Sequence, residues 1–315
     1  MSAKLFLVER SPTLASTWGV MFIFMLITTG LWGASSIQLY SYLRSYRNDS
    51  NWTKVLVVVV WMIDTVHQAL FSKVNYTVLV THFGDLSAFS SDPHIAKYPA
   101  IIENTLCALV CFLVQMFYIR RVFVMSGKKI PLTLFCFILA IAQLAAFITY
   151  VSKTATIPSF ADLSQILMYS YAVTGTSAFV DVSIATVMVT LLFRSRSGLK
   201  KSNSVIGKVI AYTINTGLIC GACEVFALIS ALVWPEDFIY VGFVMVLPKL
   251  YLNCMLAILN SRKSLQGKLA ATEVGGFSSY SAPVNFDIEQ NKQVPELAHC
   301  LTSTGTTTSV TISKL

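Results

Sequence analysis

The sequence predicts an all-α membrane protein, a bundle of seven transmembrane helices followed by a disordered C-terminal tail. Three observations predict it. The 315 residues are 55% hydrophobic and only 12% charged, whereas a soluble domain carries about 25% charged residues. The apolar residues fall in blocks of roughly 20, the length that crosses hydrocarbon. The basic residues cluster in alternate connections, as they do in multi-pass chains.

Seven apolar windows follow one another along the chain. They run from Thr13 to Tyr42, Val55 to Val80, Pro99 to Ile119, Pro131 to Val151, Ile166 to Phe193, Val209 to Val233 and Ile239 to Asn260. The first is too long for a cleaved signal peptide, and no small-residue cleavage pattern follows it. Pro99 and Pro131 stand where a helix tolerates proline, in its first turn. The expected organisation is a short external N-terminus over residues 1–12, a membrane domain over 13–266 and a tail over 267–315.

Orientation follows from the basic residues. Fifteen lie in the first, third and fifth connections and just after the seventh window: Arg44, Arg47, Lys54, Arg120, Arg121, Lys128, Lys129, Arg194, Arg196, Lys200, Lys201, Lys208, Arg262, Lys263 and Lys268. The N-terminus and the even connections hold four, Lys4, Arg10, Lys97 and Lys153. The positive-inside rule then places the N-terminus outside and the C-terminus in the cytoplasm. Aromatic residues agree, with Trp18 and Trp234 at the outer interface and Tyr42, Tyr46 and Trp52 at the inner one. The sequons at Asn48 and Asn51 face the cytoplasm and are expected to stay bare, while Asn75 lies too close to the membrane to be modified.

The net charge of +8 is explained by this bias. No basic stripe with interleaved aromatics accompanies it, so nucleic acid is not an expected partner. Of the seven cysteines, none lies in an external loop, and no structural disulfide is expected. Beyond Gly267 the chain is rich in Ser, Thr and Gly, ending in the run TSTGTTTSVT and the tripeptide Ser313-Lys314-Leu315. Such a segment has too little apolar surface to offset ordering entropy. The tripeptide matches the peroxisomal import signal, which makes a peroxisomal location the alternative to the plasma membrane or endomembranes.

The stretches QLYSYLRSYRND from Gln38, WMIDTVHQ from Trp61, SRSGLKKSNSVI from Ser195, YTINTGLI from Tyr212 and KLYLNCMLAILNSRKSLQ from Lys249 carry a resemblance. In this order they resemble an uncharacterised fungal family of seven-helix integral membrane proteins, common in mushroom-forming fungi, over roughly Thr13 to Gln266. The resemblance implies a fold and a fungal origin, and no activity, because that family is a domain of unknown function. Cys254 departs from it, standing where many members carry a small hydroxyl residue.

Ionisable residues at membrane depth cost roughly 2.5 to 3.5 kcal/mol each at mid-helix, so they point inward and mark candidate sites. Asp64, His67, Glu103, Asp181, Glu224 and Lys249 qualify, with Asn215 and Asn253 as uncharged companions. Asp64 and His67 lie three apart, on one helix face. Lys249, Asn253 and Asn260 continue a stripe with helical period, which faces a bundle interior. Two readings of this set stand open: a packing network in which Lys249 pairs with Asp64 or Asp181, and a ligand or proton site. Pro248 deprives the Val244 carbonyl of its helical partner, one way to open a cavity beside Lys249.

Several classes fit poorly. A retinal-binding lysine would follow an aspartate one turn earlier, where Met245 stands. A rhodopsin-like receptor would close its third helix with Asp-Arg-Tyr, and this chain reads Tyr118-Ile119-Arg120-Arg121. Cys220 and Cys223 form a Cys-x-x-Cys within an apolar helix, without the βαβ context of a redox motif. His67 with Asp64 is too small a set for a metal. Gly217 and Gly221, and Ala142 and Ala146, are small-residue spacings that let helices approach. No catalytic set, metal set or cofactor motif is found, and a non-enzymatic chain is expected.

The expected partners are the lipid bilayer, a small-molecule ligand at the polar core, and a cytoplasmic partner at loops 120–130 and 194–208. The second loop holds a basic cluster next to Ser197, Ser202 and Ser204, fit for phosphorylation or anionic lipid. Three functions remain open: a receptor-like or sensory protein, a small-solute or proton transporter using the same polar residues, and a membrane scaffold without a ligand.

Overall fold

A computed structural model describes residues 15–47, 49–83, 92–95, 97–157, 166–194, 200–234 and 237–277. Most of the described residues are helical, with no strand among them. Among the described residues seven α-helices follow in order: α1 Val20–Ser45, α2 Asn51–Tyr76, α3 Lys97–Met125, α4 Ile130–Thr156, α5 Leu167–Arg194, α6 Lys200–Val233 and α7 Ile239–Phe277. Short π-helical turns, Ala15–Gly19 and Thr77–Thr81, precede α1 and follow α2.

Two units can be distinguished, Met1–Lys263 and Ser264–Leu315. In the second, the described part is the α7 backbone, which continues past Gly267 to Phe277. The rest of the expected tail, with Ser313, Lys314 and Leu315, lies outside the described residues. So do residues 195–199 of the loop 194–208 and the side chains that follow them to Thr213, together with that of Asn215.

Six helices, all but α6, are long and apolar enough to cross a membrane, and α6 contributes a shorter apolar stretch, Gly217–Val233. The surface of the first unit is inverted relative to a soluble protein. Ile23, Leu26, Ile37, Leu134, Phe135, Ile138 and Ile148 are exposed, while Asp64, His67, Glu224 and Lys249 are fully buried. Water would solvate the opposite arrangement, so lipid is the solvent that this surface fits. The chain is a multi-pass membrane protein.

Neighbouring helices alternate in direction. Trp32 Nε1 donates to Thr65 Oγ1 at 3.0 Å and Trp61 Nε1 to Ser36 Oγ at 3.1 Å, a spacing that makes α1 and α2 antiparallel. Against α7, α1 runs parallel: Asn253 Nδ2 donates to the Leu31 carbonyl and Asn260 Nδ2 to that of Gln38, each at 2.9 Å. We call the end at which α1, α3, α5 and α7 begin the upper end.

α7 is the central helix. In its most apolar window 67% of residues are buried, against 17% in α1. Its Val246, Leu252, Met255 and Leu256 pack with Tyr42, Val57, Val60, Val110 and Val114 in the main apolar cluster. Gly242 lets α1 approach α7, because a Cβ at this position would enter the ring of Phe24. Gly217 does the same for α5 and α6, its ideal Cβ lying 3.1 Å from that of Ala185, while Gly221 faces open space. Only one glycine of that pair therefore makes the close approach expected of the motif.

α3 ends in a Schellman turn. Gly127 and Lys128 both adopt positive φ, at 68° and 64°, and the Lys128 amide donates back to the Phe123 carbonyl at 3.0 Å. That bond satisfies a carbonyl of the last helical turn. At the lower end Arg120 Nη1 donates to Thr53 Oγ1 at 3.3 Å, tying the basic connection to the start of α2.

Candidate functional site

The polar residues predicted to face inward form two groups and one cavity wall. In the first group, α2 brings Asp64 and His67 to α7. Lys249 Nζ donates to Asp64 Oδ1 at 2.7 Å, to the Asp64 carbonyl at 3.3 Å and to His67 Nδ1 at 2.9 Å. An ammonium has three hydrogens and accepts nothing. All three are therefore committed, His67 Nδ1 is the acceptor, and the imidazole proton resides on Nε2. Both side chains of the ion pair are fully buried.

Asn253, one turn further along α7, joins this group to α1. Its Nδ2 donates to the Lys249 carbonyl at 2.8 Å as well as to that of Leu31, and its Oδ1 accepts from Gln38 Nε2 at 3.0 Å. Asn260 repeats the pattern two turns on. The α7 stripe thus lies against α1, and side-chain amides stitch the two helices where lipid offers no competing partner.

The second group joins α5, α6 and α7 through a residue that sequence reasoning did not single out. Tyr251 lies two positions from Lys249 and so points to a different face of α7. Its hydroxyl is 2.5 Å from Asp181 Oδ2 and 3.2 Å from Glu224 Oε1. Asp181, one of two candidate partners for Lys249, is therefore engaged by a phenol, and Lys249 takes Asp64.

Beside this triad runs a chain of neutral groups, also unforeseen. Gln115 Nε2 donates to Gln143 Oε1 at 2.6 Å, and Gln143 Nε2 to Ser177 Oγ at 2.7 Å, linking α3, α4 and α5. The signal was present in the sequence, because an amide at mid-span raises the same question as a charge.

A cavity of about 60 Å³ occupies the upper half of the bundle. Since one water needs roughly 10–15 Å³, it holds about four waters, or a ligand of a few heavy atoms. Every helix contributes to its wall, α1 through Met21, α2 through Phe71, α4 through Phe147 and α7 through Tyr240 and Met245. Most of the lining is apolar. The acidic exceptions are Glu103 of α3 and Glu224 of α6, each with one buried oxygen, Oε1 and Oε2 respectively, that meets no donor. Asn104, Ser170, Thr174 and Ser177 supply neutral polar atoms.

A smaller cavity of about 40 Å³ lies further down, among Gln115, Tyr118, Asp181, Met188, Cys220 and Tyr251. Asp64, His67 and Lys249 line neither space. Among the described residues no group of three or more His, Cys, Asp and Glu side chains could hold a metal ion.

Comparison with known proteins adds one match. No curated protein and no solved structure matches the chain. The family model described as "Family of unknown function (DUF6534)" matches residues 177–264, a segment that holds Asp181, Glu224, Lys249 and Tyr251 but not Asp64, His67 or Glu103. The chain thus carries a DUF6534 domain at residues 177–264, within a multi-pass membrane protein of unknown function.

Proposed function

We propose that this protein is a seven-span, receptor-like membrane protein that binds a small ligand in its upper cavity. One observation carries the reading: all seven helices line a single axial cavity in which two acidic side chains each keep a buried oxygen without a donor. A buried acceptor left unpaired costs about 1–3 kcal/mol, and a ligand hydrogen would recover part of that. The fitting ligand is therefore small and largely apolar, with a protonated amine or a hydroxyl directed at Glu103 and Glu224.

α6 completes the seventh span in this reading. Its 34 residues reach about 51 Å at 1.5 Å per residue, more than the roughly 30 Å of hydrocarbon. The basic bias of the connections puts the upper end outside, so the cavity would open toward external ligand and the loops 120–130 and 194–208 toward cytoplasmic partners. Fungal origin rests on the motif resemblance alone. All three hydrogens of the Lys249 ammonium are committed, and its cluster lines neither cavity, which favours a structural role for it.

The test is a thermal-shift screen of the detergent-solubilised protein against small apolar amines and alcohols. At least one is expected to raise the unfolding midpoint of the wild type, and Glu103→Gln is expected to diminish that shift. A panel that leaves the midpoint unchanged counts against the cavity as a ligand site. So does a shift that survives Ser170→Phe, which fills the space.

A further inference from the structure

Two cavities at different depths share one hydrogen-bonded seam. Glu224 lines the upper cavity, while Tyr251 and Asp181 line the lower one. Tyr251 Oη touches both carboxyls, at 3.2 Å from Glu224 Oε1 and 2.5 Å from Asp181 Oδ2. The far oxygen of Glu224, Oε2, is buried without a donor. Below the seam the lower cavity offers Tyr118, whose hydroxyl is also buried without a partner.

We infer that Glu224, Tyr251 and Asp181 form a proton relay connecting the upper cavity to the lower one. A phenol carries one proton and accepts through its oxygen. When Tyr251 donates to Asp181 it can hold Glu224 only by accepting, and that contact requires the carboxylic proton on Glu224 Oε1. In the transfer step the Tyr251 proton moves to Asp181 Oδ2 as the Glu224 proton moves to Tyr251 Oη. One O–H bond breaks at each donor and one forms at each acceptor. Asp181 leaves the step as the acid, Glu224 as the carboxylate, and the phenol neutral.

Asp181 then releases its proton to water in the lower cavity, where Gln115 and Tyr118 supply polar partners. Glu224 recovers one from the upper cavity, and the Tyr251 hydroxyl rotates back toward Asp181. No oxidant, metal or cofactor enters the cycle. The titratable groups facing the triad from the packed helices, among the described residues, are Cys107, Cys111 and Tyr118 on α3 and Cys220 and Cys223 on α6, none of them cationic. The relay stands on the seam and the two cavities, independently of any ligand in the upper one.

The full chain, reconstituted in liposomes containing a trapped pH dye, tests it under a potassium diffusion potential set with valinomycin. Wild-type vesicles are expected to acidify at least tenfold faster than empty ones. Tyr251→Phe and Glu224→Gln are expected to return the rate to that of empty vesicles. Tyr171→Phe, which removes a phenol bonded to the Ala231 carbonyl elsewhere in the bundle, is expected to keep it. A wild-type rate equal to that of empty vesicles overturns the relay, as does undiminished flux in Tyr251→Phe.

Infrared spectroscopy keeps the test independent of whether the Tyr251 variant folds. The wild type is expected to show a protonated-carboxyl stretch that Glu224→Gln removes. A wild type without that band, or a band unchanged by Glu224→Gln, also overturns the proposal. Flux without any ligand-induced thermal shift would fail the receptor reading and leave the relay standing, and the reverse result would do the opposite.

Discussion

Lys249 Nζ lies 2.7 Å from Asp64 Oδ1 in a fully buried pair, and the same ammonium also fills the Asp64 carbonyl and His67 Nδ1. A charge placed at this depth is tolerable only with its partner. Removing one member of a buried pair costs about 3–5 kcal/mol, whereas replacing both by apolar groups of similar size is often neutral. Lys249→Met and Asp64→Leu are each expected to lower unfolding stability by that amount, and the double variant to regain most of it. Additive losses in the double variant, read from denaturation in detergent, would show that the two residues do not act as a pair.

Helix approach at the upper end depends on the absence of a side chain at Gly242. A Cβ there would enter the ring of Phe24, so Gly242→Ala forces the α1–α7 contact apart. Overpacking of this kind costs about 1–3 kcal/mol. Phe24→Leu, harmful alone through lost contact, is expected to offset part of the cost when combined with it. Gly221→Ala serves as the control, since a Cβ at that glycine meets open space. Equal losses at Gly242 and Gly221 would exclude the steric explanation.

The course of the chain through the bilayer predicts a modification pattern. With the upper end outside, an acceptor sequon inserted after Phe160, between α4 and α5, is expected to be glycosylated in a eukaryotic host. The native sequons at Asn48 and Asn51, in the connection between α1 and α2, are expected to stay bare. Asn75 is expected to stay bare as well, because its side chain is buried and its Nδ2 donates to the Phe71 carbonyl at 2.9 Å. A gel-shift assay with deglycosylase reads all three, and sugar at Asn48 or Asn51 would reverse the orientation.

Much of this architecture is written in the sequence because the bilayer penalises error so heavily. Apolar blocks mark the helices, and inward-facing charge follows from the cost of the alternative, which is why Asp64, His67, Glu224 and Lys249 all proved buried. The choice of partner is a different kind of information. Lys249 could have met Asp64 or Asp181, and the decision lies in how α7 is rotated against α2 and α5, a packing outcome that no periodicity encodes. The role of Tyr251 is hidden in the sequence for a related reason. Tyrosine is common at membrane interfaces, and at two residues from Lys249 it belongs to another face, visible only once α5 and α6 are seen to converge there.

The glutamine chain gives a last expectation, in which burial and hydrogen bonding pull in opposite directions. Gln143 accepts from Gln115 and donates to Ser177, so Gln143→Leu breaks two bonds and leaves the Gln115 amide without its acceptor. Interhelical hydrogen bonds in membranes average about 0.6 kcal/mol and reach about 1.7. The single variant is therefore expected to lose about 1–3 kcal/mol. Changing Gln115 to Leu as well removes the stranded donor, and leucine packs against the same neighbours, so the double variant is expected to be more stable than Gln143→Leu alone. That ordering separates a satisfied network from two independent packing residues, for which the second substitution would only add to the loss.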